Sequence, residues 1–316
     1  MTDTQNEVFK TPVNKIRLFE HGAPGSQNLK LTRKYYTEDM PDGRVKHIVQ
    51  NITDPDIVPY IPDVIGNSTD RQRIPAVLII PGGAFRRLVY NFEGEDVAKW
   101  LNSMGIAAFV LECRLPSDEH DNAEDVPLID AMRVMRVIRG RAQEFGIDEA
   151  KIGVMGFSAG GFMAALLSTA YESDVYADYK YKDEYDKLSA RPDFAVCSYP
   201  VISIDDCIEA GKRYMSEEQV LERISDSKAK ILHKYNPDKL VRPDMPPVFI
   251  CETDDDRTTL SENSVGFYMA ARKAGVSAEL HIFRTGGHGY GCGDDFAQTG
   301  EWKVLFTKWI ESIGII

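Results

Sequence analysis

Short, uninterrupted apolar runs constrain the fold of this chain more than any other feature. Residues 76–80 read Ala-Val-Leu-Ile-Ile, and residues 106–111 read Ile-Ala-Ala-Phe-Val-Leu. Runs of this kind are typical of strands that are buried on both faces, as in parallel sheets. Further strands are predicted at 152–155, 194–197, 248–251 and 278–283.

Helical patterns alternate with these strands. Apolar side chains recur at spacings of three and four between Leu128 and Phe145, which predicts one long helix that ends near Gly146. Other helices are predicted at about 93–104, from Ser158 onward, at about 261–274 and from Trp302 to Ile313. This alternation predicts an α/β fold, an open and mostly parallel sheet with helices on both faces.

Two segments do not follow the alternation. Residues 1–74 are polar and rich in turns, and we expect a short antiparallel edge there, with strands near 45–49 and 57–60. Residues 200–245 form a charged, helix-prone insert. Because it lies at the carboxyl ends of the strands, where such sheets bind ligands, we expect a lid; a decorative surface insertion is the alternative. The chain is predicted to be a single domain, 1–316.

Charge argues against nucleic-acid and membrane partners. The chain has 37 basic and 49 acidic residues, a formal net charge of −12. A phosphate backbone or an anionic lipid surface repels such a chain on average. No apolar run approaches the roughly 18 residues of a membrane span, and the polar, acidic N-terminus does not resemble a secretory signal.

The cysteines favour a reduced, cytoplasmic protein. There are five, an odd number, and they are widely spread without a CxxC pair. Disulfide frameworks need an even set, and metal sites need close pairs, so we expect neither. The five are Cys113, Cys197, Cys207, Cys251 and Cys292.

The motif Gly156-Phe157-Ser158-Ala159-Gly160 is the most specific candidate for chemistry. It follows a predicted buried strand and opens a predicted helix, which is the strand–turn–helix context of a nucleophilic serine. The glycines two residues before and after Ser158 permit a tight turn and a close approach of helix and strand. A plain serine N-cap beside a glycine turn is the alternative interpretation.

His288 is the histidine best placed to act as a base. It lies in Thr285-Gly286-Gly287-His288-Gly289-Tyr290-Gly291, directly after a predicted strand. A flexible loop of this kind can hold an imidazole above the strand ends, and packing alone does not call for so many glycines. The histidines that lack this setting are His21, His47, His120, His233 and His281.

Three consecutive aspartates supply the candidate carboxylate. A serine nucleophile needs a base, and the base needs a carboxylate to orient it. Asp254, Asp255 and Asp256 follow the strand that ends near Cys251, and the chain order Ser–Asp–His is that of α/β-hydrolases. These residues alone leave the choice among the three open, and a solvated acidic turn is the alternative.

The turn after the first buried strand is the candidate oxyanion hole. Pro81-Gly82-Gly83-Ala84-Phe85 follows that strand, and small residues there let backbone N–H groups approach an oxyanion closely. The N–H of Ala159, next to the serine, is a further donor. A phosphate-binding turn is the alternative, but the motifs GxGxxG and GxxxxGK[ST] are absent from it.

Taken together, these segments resemble the α/β-hydrolase superfamily, and within it the hormone-sensitive-lipase-like and acetyl-xylan-esterase-like carboxylesterases. The resemblance covers roughly residues 75–312. The segments that carry it are Pro81–Phe85, Glu93-Gly94-Glu95, Asp130-Ala131-Met132-Arg133, Gly156–Gly161, Pro246-Pro247-Val248-Phe249, Asp255-Asp256-Arg257-Thr258 and Gly286-Gly287-His288-Gly289.

The resemblance implies a role for each candidate. Ser158 is the expected nucleophile and His288 the base. In the resembling esterases the catalytic aspartate precedes a helical serine by eight positions. Asp256 precedes Ser264 by eight positions, so the resemblance implies that Asp256 is the catalytic aspartate. The expected oxyanion donors are the backbone N–H groups of Gly83, Ala84 and Ala159.

Two positions depart from the family pattern. The third small residue of the oxyanion turn is Ala84, where the family usually has glycine. Cys113 precedes Arg114-Leu115, where the family often has tyrosine, and this change is expected to alter the wall of the acyl pocket.

The sequence therefore predicts a cytoplasmic serine carboxylesterase that needs no metal or organic cofactor. The expected substrate is a short acyl ester, acetyl above all, of a small alcohol or sugar, and acetylated oligosaccharides are implied by the resemblance alone. A homo-oligomer is left open.

Three alternatives are weighed against this function, two of them enzymes and one a ligand receptor. A serine peptidase of the prolyl-oligopeptidase type carries a large propeller or cap, which about 74 residues before the first buried strand cannot form. A ligand receptor on a catalytically silent hydrolase fold would lack or block one of the three catalytic side chains. A lipase would need an interfacial helix, and the acidic chain offers no obvious one.

Overall fold

An eight-stranded sheet lies at the centre of the fold. The structure is a computed structural model that describes residues 9, 13–63, 73–214, 216, 218–219, 227–293 and 298–316. In spatial order the strands are β1 (Ile16–Arg17), β4 (Asp56–Tyr60), β7 (Ala107–Glu112), β5 (Ile74–Ile80), β8 (Ile147–Phe157), β9 (Ala195–Ser198), β10 (Val248–Thr253) and β11 (Ala278–Phe283). All strands from β7 to β11 in this order pair in parallel. The predicted parallel sheet is confirmed.

The antiparallel strands all lie in the N-terminal third of the chain. Of the two strands that the sequence predicts for an antiparallel edge, the one near 57–60 is β4, which pairs antiparallel with β1 and β7 at the edge of the sheet. The other, near 45–49, is β3 (Val45–Gln50), which instead joins a second antiparallel sheet with β2 (Lys34–Asp39) and β6 (Leu88–Val89). The prediction that both strands belong to one edge is therefore wrong. Strand β6 has only two residues, too few to show a periodic pattern.

The helices follow the predicted alternation with one difference. The long helix expected to end near Gly146 is broken at Arg141 into α2 and α3. Glycine weakens a helix, and Gly140 lies so close to Tyr185 that a Cβ on it would be 2.4 Å from the ring. The α-helices are α1 (Asp96–Ser103), α2 (Val126–Gly140), α3 (Ala142–Phe145), α4 (Ala159–Ala170), α5 (Ile204–Tyr214), α6 (Ser227–Lys234), α7 (Ser261–Lys273) and α8 (Trp302–Ser312).

The helices pack on the sheet in groups. Helices α2 and α4 contact each other and β8. Helices α1 and α8 meet through Trp100 and Trp302, whose ring centroids are 5.0 Å apart. Within the described residues, no helix is both long enough and apolar enough to cross a membrane.

The insert at 200–245 contains helices α5 and α6 and is attached to its surroundings by polar contacts. The amide oxygen of Asn263 accepts hydrogen bonds from the N–H groups of Ile202 (2.9 Å) and Ser203 (3.1 Å). Tyr235 donates a 2.5 Å hydrogen bond to Asp125, next to the start of α2. Residues 215, 217 and 220–226 of the insert lie outside the described residues. Its function as a lid stays a prediction.

Candidate active site

Ser158 lies in a sharp turn between β8 and α4. Its backbone has φ 53° and ψ −117°, a conformation that residues with a side chain rarely adopt. A Cβ atom on Gly156 would lie 1.9 Å from the carbonyl oxygen of Gly160. The strand and the helix can approach this closely because the motif has glycine there, and the result is the strand–turn–helix geometry predicted for the serine.

A continuous chain of hydrogen bonds links Ser158, His288 and Asp256. The Oγ atom of Ser158 is 2.8 Å from Nε2 of His288. The Nδ1 atom of the same ring is 2.6 Å from Oδ2 of Asp256. The structure thus brings together the three side chains that the sequence singles out.

Asp256 is held firmly in this position. Its Oδ1 atom accepts hydrogen bonds from the backbone N–H groups of Thr258 (2.7 Å) and Thr259 (2.9 Å), and Oδ2 accepts one from the Thr259 hydroxyl (2.9 Å). Burial alone would raise the pKa of this carboxyl, but the hydrogen bonds from His288, Thr259 and Thr258 lower the pKa below its ordinary value. Asp256 is therefore ionised at neutral pH.

The two neighbouring aspartates do not contact the imidazole. Asp255 is exposed, and its Oδ1 atom accepts a 2.8 Å hydrogen bond from the backbone N–H of Gly287. Asp254 is also exposed, and its own N–H donates to the carbonyl of Phe283. Asp255 thus fixes the loop that carries His288, whereas Asp256 contacts the ring itself.

The loop that carries His288 is shaped by its glycines. The expectation that packing does not require these glycines is wrong for two of them. Gly286 and Gly291 have φ values of 154° and 53°. A Cβ on Gly286 would lie 2.3 Å from the methyl group of Thr299, and one on Gly291 would lie 2.6 Å from the Phe92 carbonyl oxygen.

The predicted oxyanion turn lies against Ser158. A Cβ on Gly82 would be 2.9 Å from the Cβ of Ser158. The Gly82 N–H is occupied by Glu93, whereas those of Gly83 and Ala84 have no hydrogen-bond acceptor among the described residues. Ala159 is the first residue of α4, so its N–H has no partner within the helix. These three free N–H groups are the predicted oxyanion donors.

Ala84 adopts a conformation that favours glycine. Its φ is 58°, and the adjacent Phe85 has φ 59°. The family's usual glycine avoids the cost of this conformation, so the alanine stores strain in the turn.

A small cavity lies beside the turn. Its free volume is about 10 Å³, close to the space that one water molecule needs. Gly82, Cys113, Leu115, Ala159 and Met163 line it. Cys113 and Ala159 thus line the same cavity, and the expected effect of Cys113 on the acyl pocket stays a prediction.

Glu93 and Tyr199 lie against the site, although no motif in the sequence marks them as a pair. The Oε1 atom of Glu93 accepts a 3.0 Å hydrogen bond from the Tyr199 hydroxyl. Burial raises the pKa of Glu93, and the nearby His288 and the hydrogen bonds from Tyr199 and Gly82 oppose this rise. Glu93 belongs to a segment that carries the family resemblance, but nothing in its local sequence points to a contact with Tyr199.

The sheet order, the serine turn and the position of these residues at the carboxyl ends of the strands define an α/β-hydrolase fold. The acetyl ester-xyloside bifunctional hydrolase from Caldicellulosiruptor lactoaceticus has a similar structure, with a TM-score of 0.70 and 34% identity over 96% of this chain and 97% of that chain. The carboxylesterase Cest-2923 from Lactobacillus plantarum WCFS1 has a TM-score of 0.67 and 20% identity over 90% of this chain and 99% of that chain.

The sequence model of the BD-FAE family matches residues 63–270, and the chain belongs to that family. An acetylxylan esterase from Xylanibacter ruminicola is 30% identical over 240 residues, which are 75% of this chain and 45% of that protein. The chain therefore spans less than half the length of this curated relative. The predicted relationship to esterases of the α/β-hydrolase fold is confirmed.

Proposed function

We propose that the protein is a serine carboxylesterase that releases short acyl groups, acetyl above all, through an acyl-enzyme. The observation that carries this proposal is the hydrogen-bonded series of Ser158, His288 and Asp256, with distances of 2.8 Å and 2.6 Å. A buried, ionised carboxylate behind an imidazole that contacts a serine hydroxyl is the arrangement that activates serine as a nucleophile.

In the first half of the proposed reaction, Nε2 of His288 accepts the proton of Ser158 while Oγ attacks the ester carbonyl. The N–H groups of Gly83, Ala84 and Ala159 stabilise the oxyanion of the tetrahedral intermediate. Asp256 keeps the proton of the neutral ring on Nδ1 and stabilises the imidazolium. His288 then returns the proton to the leaving alcohol, and the acyl-enzyme remains.

In the second half, water attacks the acyl-enzyme with His288 again as the base. Collapse of the second tetrahedral intermediate frees the carboxylic acid and restores the Ser158 hydroxyl. Atoms and protons balance with water as the only co-substrate, so these steps call for no cofactor.

A preference for acetyl esters of sugars is supported by the similar proteins. The names of an acetylxylan esterase and an acetyl ester-xyloside hydrolase among the similar proteins favour acetylated xylo-oligosaccharides as the substrate class.

A panel of p-nitrophenyl esters from acetyl to decanoyl, with acetylated xylo-oligosaccharides beside it, tests the proposal. We expect the highest kcat/KM with acetyl, a steady fall with chain length, and release of acetate from the oligosaccharides. Equal rates for acetyl and decanoyl would contradict the acyl preference. Inactivity on every ester would favour the silent receptor, and cleavage of peptide p-nitroanilides would favour the peptidase.

The cytoplasmic location is also a proposal. Its support is that Cys113, Cys197 and Cys251 are free, buried thiols. The side chain of Cys207 lies outside the described ones. Cell fractionation with an antibody against the chain tests the location, and recovery in the medium or envelope would contradict it.

A further inference from the structure

Glu93 is a buried carboxylate that the proposed reaction steps do not use. It lies in the turn Asn91–Glu95, just before α1, and only 5% of it is exposed. Its Oε2 atom accepts a 2.8 Å hydrogen bond from the backbone N–H of Gly82, and Oε1 accepts one from the hydroxyl of Tyr199. Both carboxylate oxygens are thus engaged by groups of the protein.

Tyr199 extends this connection to the loop that carries His288. Its hydroxyl accepts a 3.0 Å hydrogen bond from the backbone N–H of Gly291. Its ring packs edge-on against the imidazole, with centroids 5.1 Å apart. Tyr199 is fully buried and has φ 37°, and its own N–H donates to the carbonyl of Cys251.

These contacts form a second buried series of hydrogen bonds, Gly82–Glu93–Tyr199–Gly291. One end holds the oxyanion turn, and the other end holds the loop that positions His288. The first series aligns the nucleophile with its base, whereas the second sets the distance between that base and the oxyanion donors.

We propose that Glu93 and Tyr199 are positioning residues that fix the oxyanion turn relative to the imidazole loop; this inference rests on the proposed esterase function. By engaging the N–H of Gly82, Glu93 fixes the orientation of the next two peptide units. Those units carry the N–H groups of Gly83 and Ala84, which remain free for the oxyanion.

The geometry also argues against a direct role for Glu93 as a base. Only 5% of the residue is exposed, and its two oxygens already accept hydrogen bonds from Gly82 and Tyr199. Its effect on the reaction therefore has to pass through the groups that it holds. Misplacement of an oxyanion donor costs transition-state stabilisation and leaves ground-state binding nearly unchanged.

Two substitutions that conserve volume test this role. Glu93→Gln replaces one acceptor oxygen with an NH₂ group, so either the Gly82 N–H or the Tyr199 O–H loses its acceptor. Tyr199→Phe removes the hydroxyl at the middle of the series and keeps the ring against His288. For each we expect kcat for p-nitrophenyl acetate to fall about 10- to 100-fold with KM within threefold of wild type.

Matched controls separate positioning from general damage. Glu95→Gln changes a carboxylate in the same turn whose contact is a surface ion pair with Lys99. Tyr171→Phe removes the hydroxyl of another buried tyrosine, which lies at the C-terminal end of α4, the end opposite Ser158, and donates a 2.8 Å hydrogen bond to Asp244. Both controls should keep kcat within threefold of wild type.

Affinity for a trifluoromethyl ketone gives the decisive second measurement, because the ketone forms an oxyanion adduct with serine. Its binding should weaken in proportion to kcat/KM in Glu93→Gln and Tyr199→Phe, and the double variant should lose little more than the worse single one. Wild-type kcat in either folded variant, an equal loss in Glu95→Gln, or unchanged ketone affinity overturns the inference. A wild-type protein that hydrolyses no ester refutes the proposed function instead.

Discussion

Gly160 packs directly on the carbonyl group of Ile80, and a Cβ atom on Gly160 would lie 1.9 Å from that oxygen. Ile80 is the last residue of β5, just before the oxyanion turn, and Gly160 belongs to the first turn of α4. This backbone contact sets the distance between the serine turn and the oxyanion donors. Any side chain at Gly160 has to push the two apart.

Gly160→Ala should therefore destabilise the protein and lower its activity. The clash is with backbone, which cannot rotate away, so a loss of about 3 kcal/mol in the free energy of unfolding is expected. Gly266→Ala is the matched control, since Gly266 is exposed within α7 and its added Cβ meets nothing within 4 Å. That change should stabilise by about 0.5–1 kcal/mol. Urea unfolding measures both, and equal stabilities would contradict the packing argument.

Local spacing explains why much of the site is predictable from sequence. The serine turn depends on residues within two positions of Ser158, and each candidate segment follows a strand whose apolar run marks it. The contact of Glu93 with Tyr199 joins residues 106 positions apart, and no local pattern reports it. The break at Arg141 was missed for a similar reason, because it depends on how closely Gly140 approaches the distant Tyr185.

Ser158→Ala should abolish ester hydrolysis while the fold persists. The substitution removes one hydroxyl, and the members of a catalytic triad act as a unit, so kcat should fall by about 10⁴-fold or more. Hydrolysis of p-nitrophenyl acetate measures the loss, and circular dichroism checks the fold. A folded variant that keeps a tenth of wild-type activity would contradict the assignment of the nucleophile.

Asp256→Asn should lower kcat by about 10³- to 10⁴-fold with little change in KM. An amide at this position favours the wrong imidazole tautomer and cannot stabilise the imidazolium. Asp255→Asn is the control, because its remaining amide oxygen can still accept the hydrogen bond from Gly287. We expect that variant to stay within about tenfold of wild type, and a larger loss in Asp255→Asn than in Asp256→Asn would reverse the assignment.

The ion pair of Arg114 and Asp130 should be essential for stability. Both side chains are completely buried, and their closest N–O distance is 2.6 Å. The backbone N–H of Arg114 also donates to Asp130, at 2.8 Å. Asp130→Ala leaves a buried guanidinium without its counter-charge, which should cost about 3–5 kcal/mol.

Glu144→Ala is a suitable comparison for Asp130→Ala. It breaks an exposed ion pair with Arg141 on the helix surface, and such pairs contribute less than about 1 kcal/mol. Guanidinium unfolding should separate the two variants clearly. Similar losses of unfolding free energy in Asp130→Ala and Glu144→Ala would show that burial does not make the Arg114–Asp130 ion pair more important for stability.

His120 should make stability depend on pH. It is buried, and its Nδ1 atom is 3.0 Å from Oγ of Ser26, which in turn accepts a 2.8 Å hydrogen bond from Arg114. Burial, together with the positive charge of Arg114, lowers the pKa of His120 from 6.5 to about 4. The unfolded chain thus binds a proton more readily than the folded protein does between these two values.

The stability that neutral His120 contributes is fully present above pH 6.5 and is lost as pH falls towards 4. With about 1.4 kcal/mol for each pKa unit, the loss from this one group reaches about 3 kcal/mol. His120→Gln removes the titration, so the free energy of unfolding of wild type relative to the variant should decrease by about that amount between pH 7 and pH 4. Urea unfolding of both proteins at the two pH values measures the difference. If wild type and His120→Gln differ in their free energy of unfolding by the same amount at both pH values, His120 titrates alike in the folded and unfolded chains.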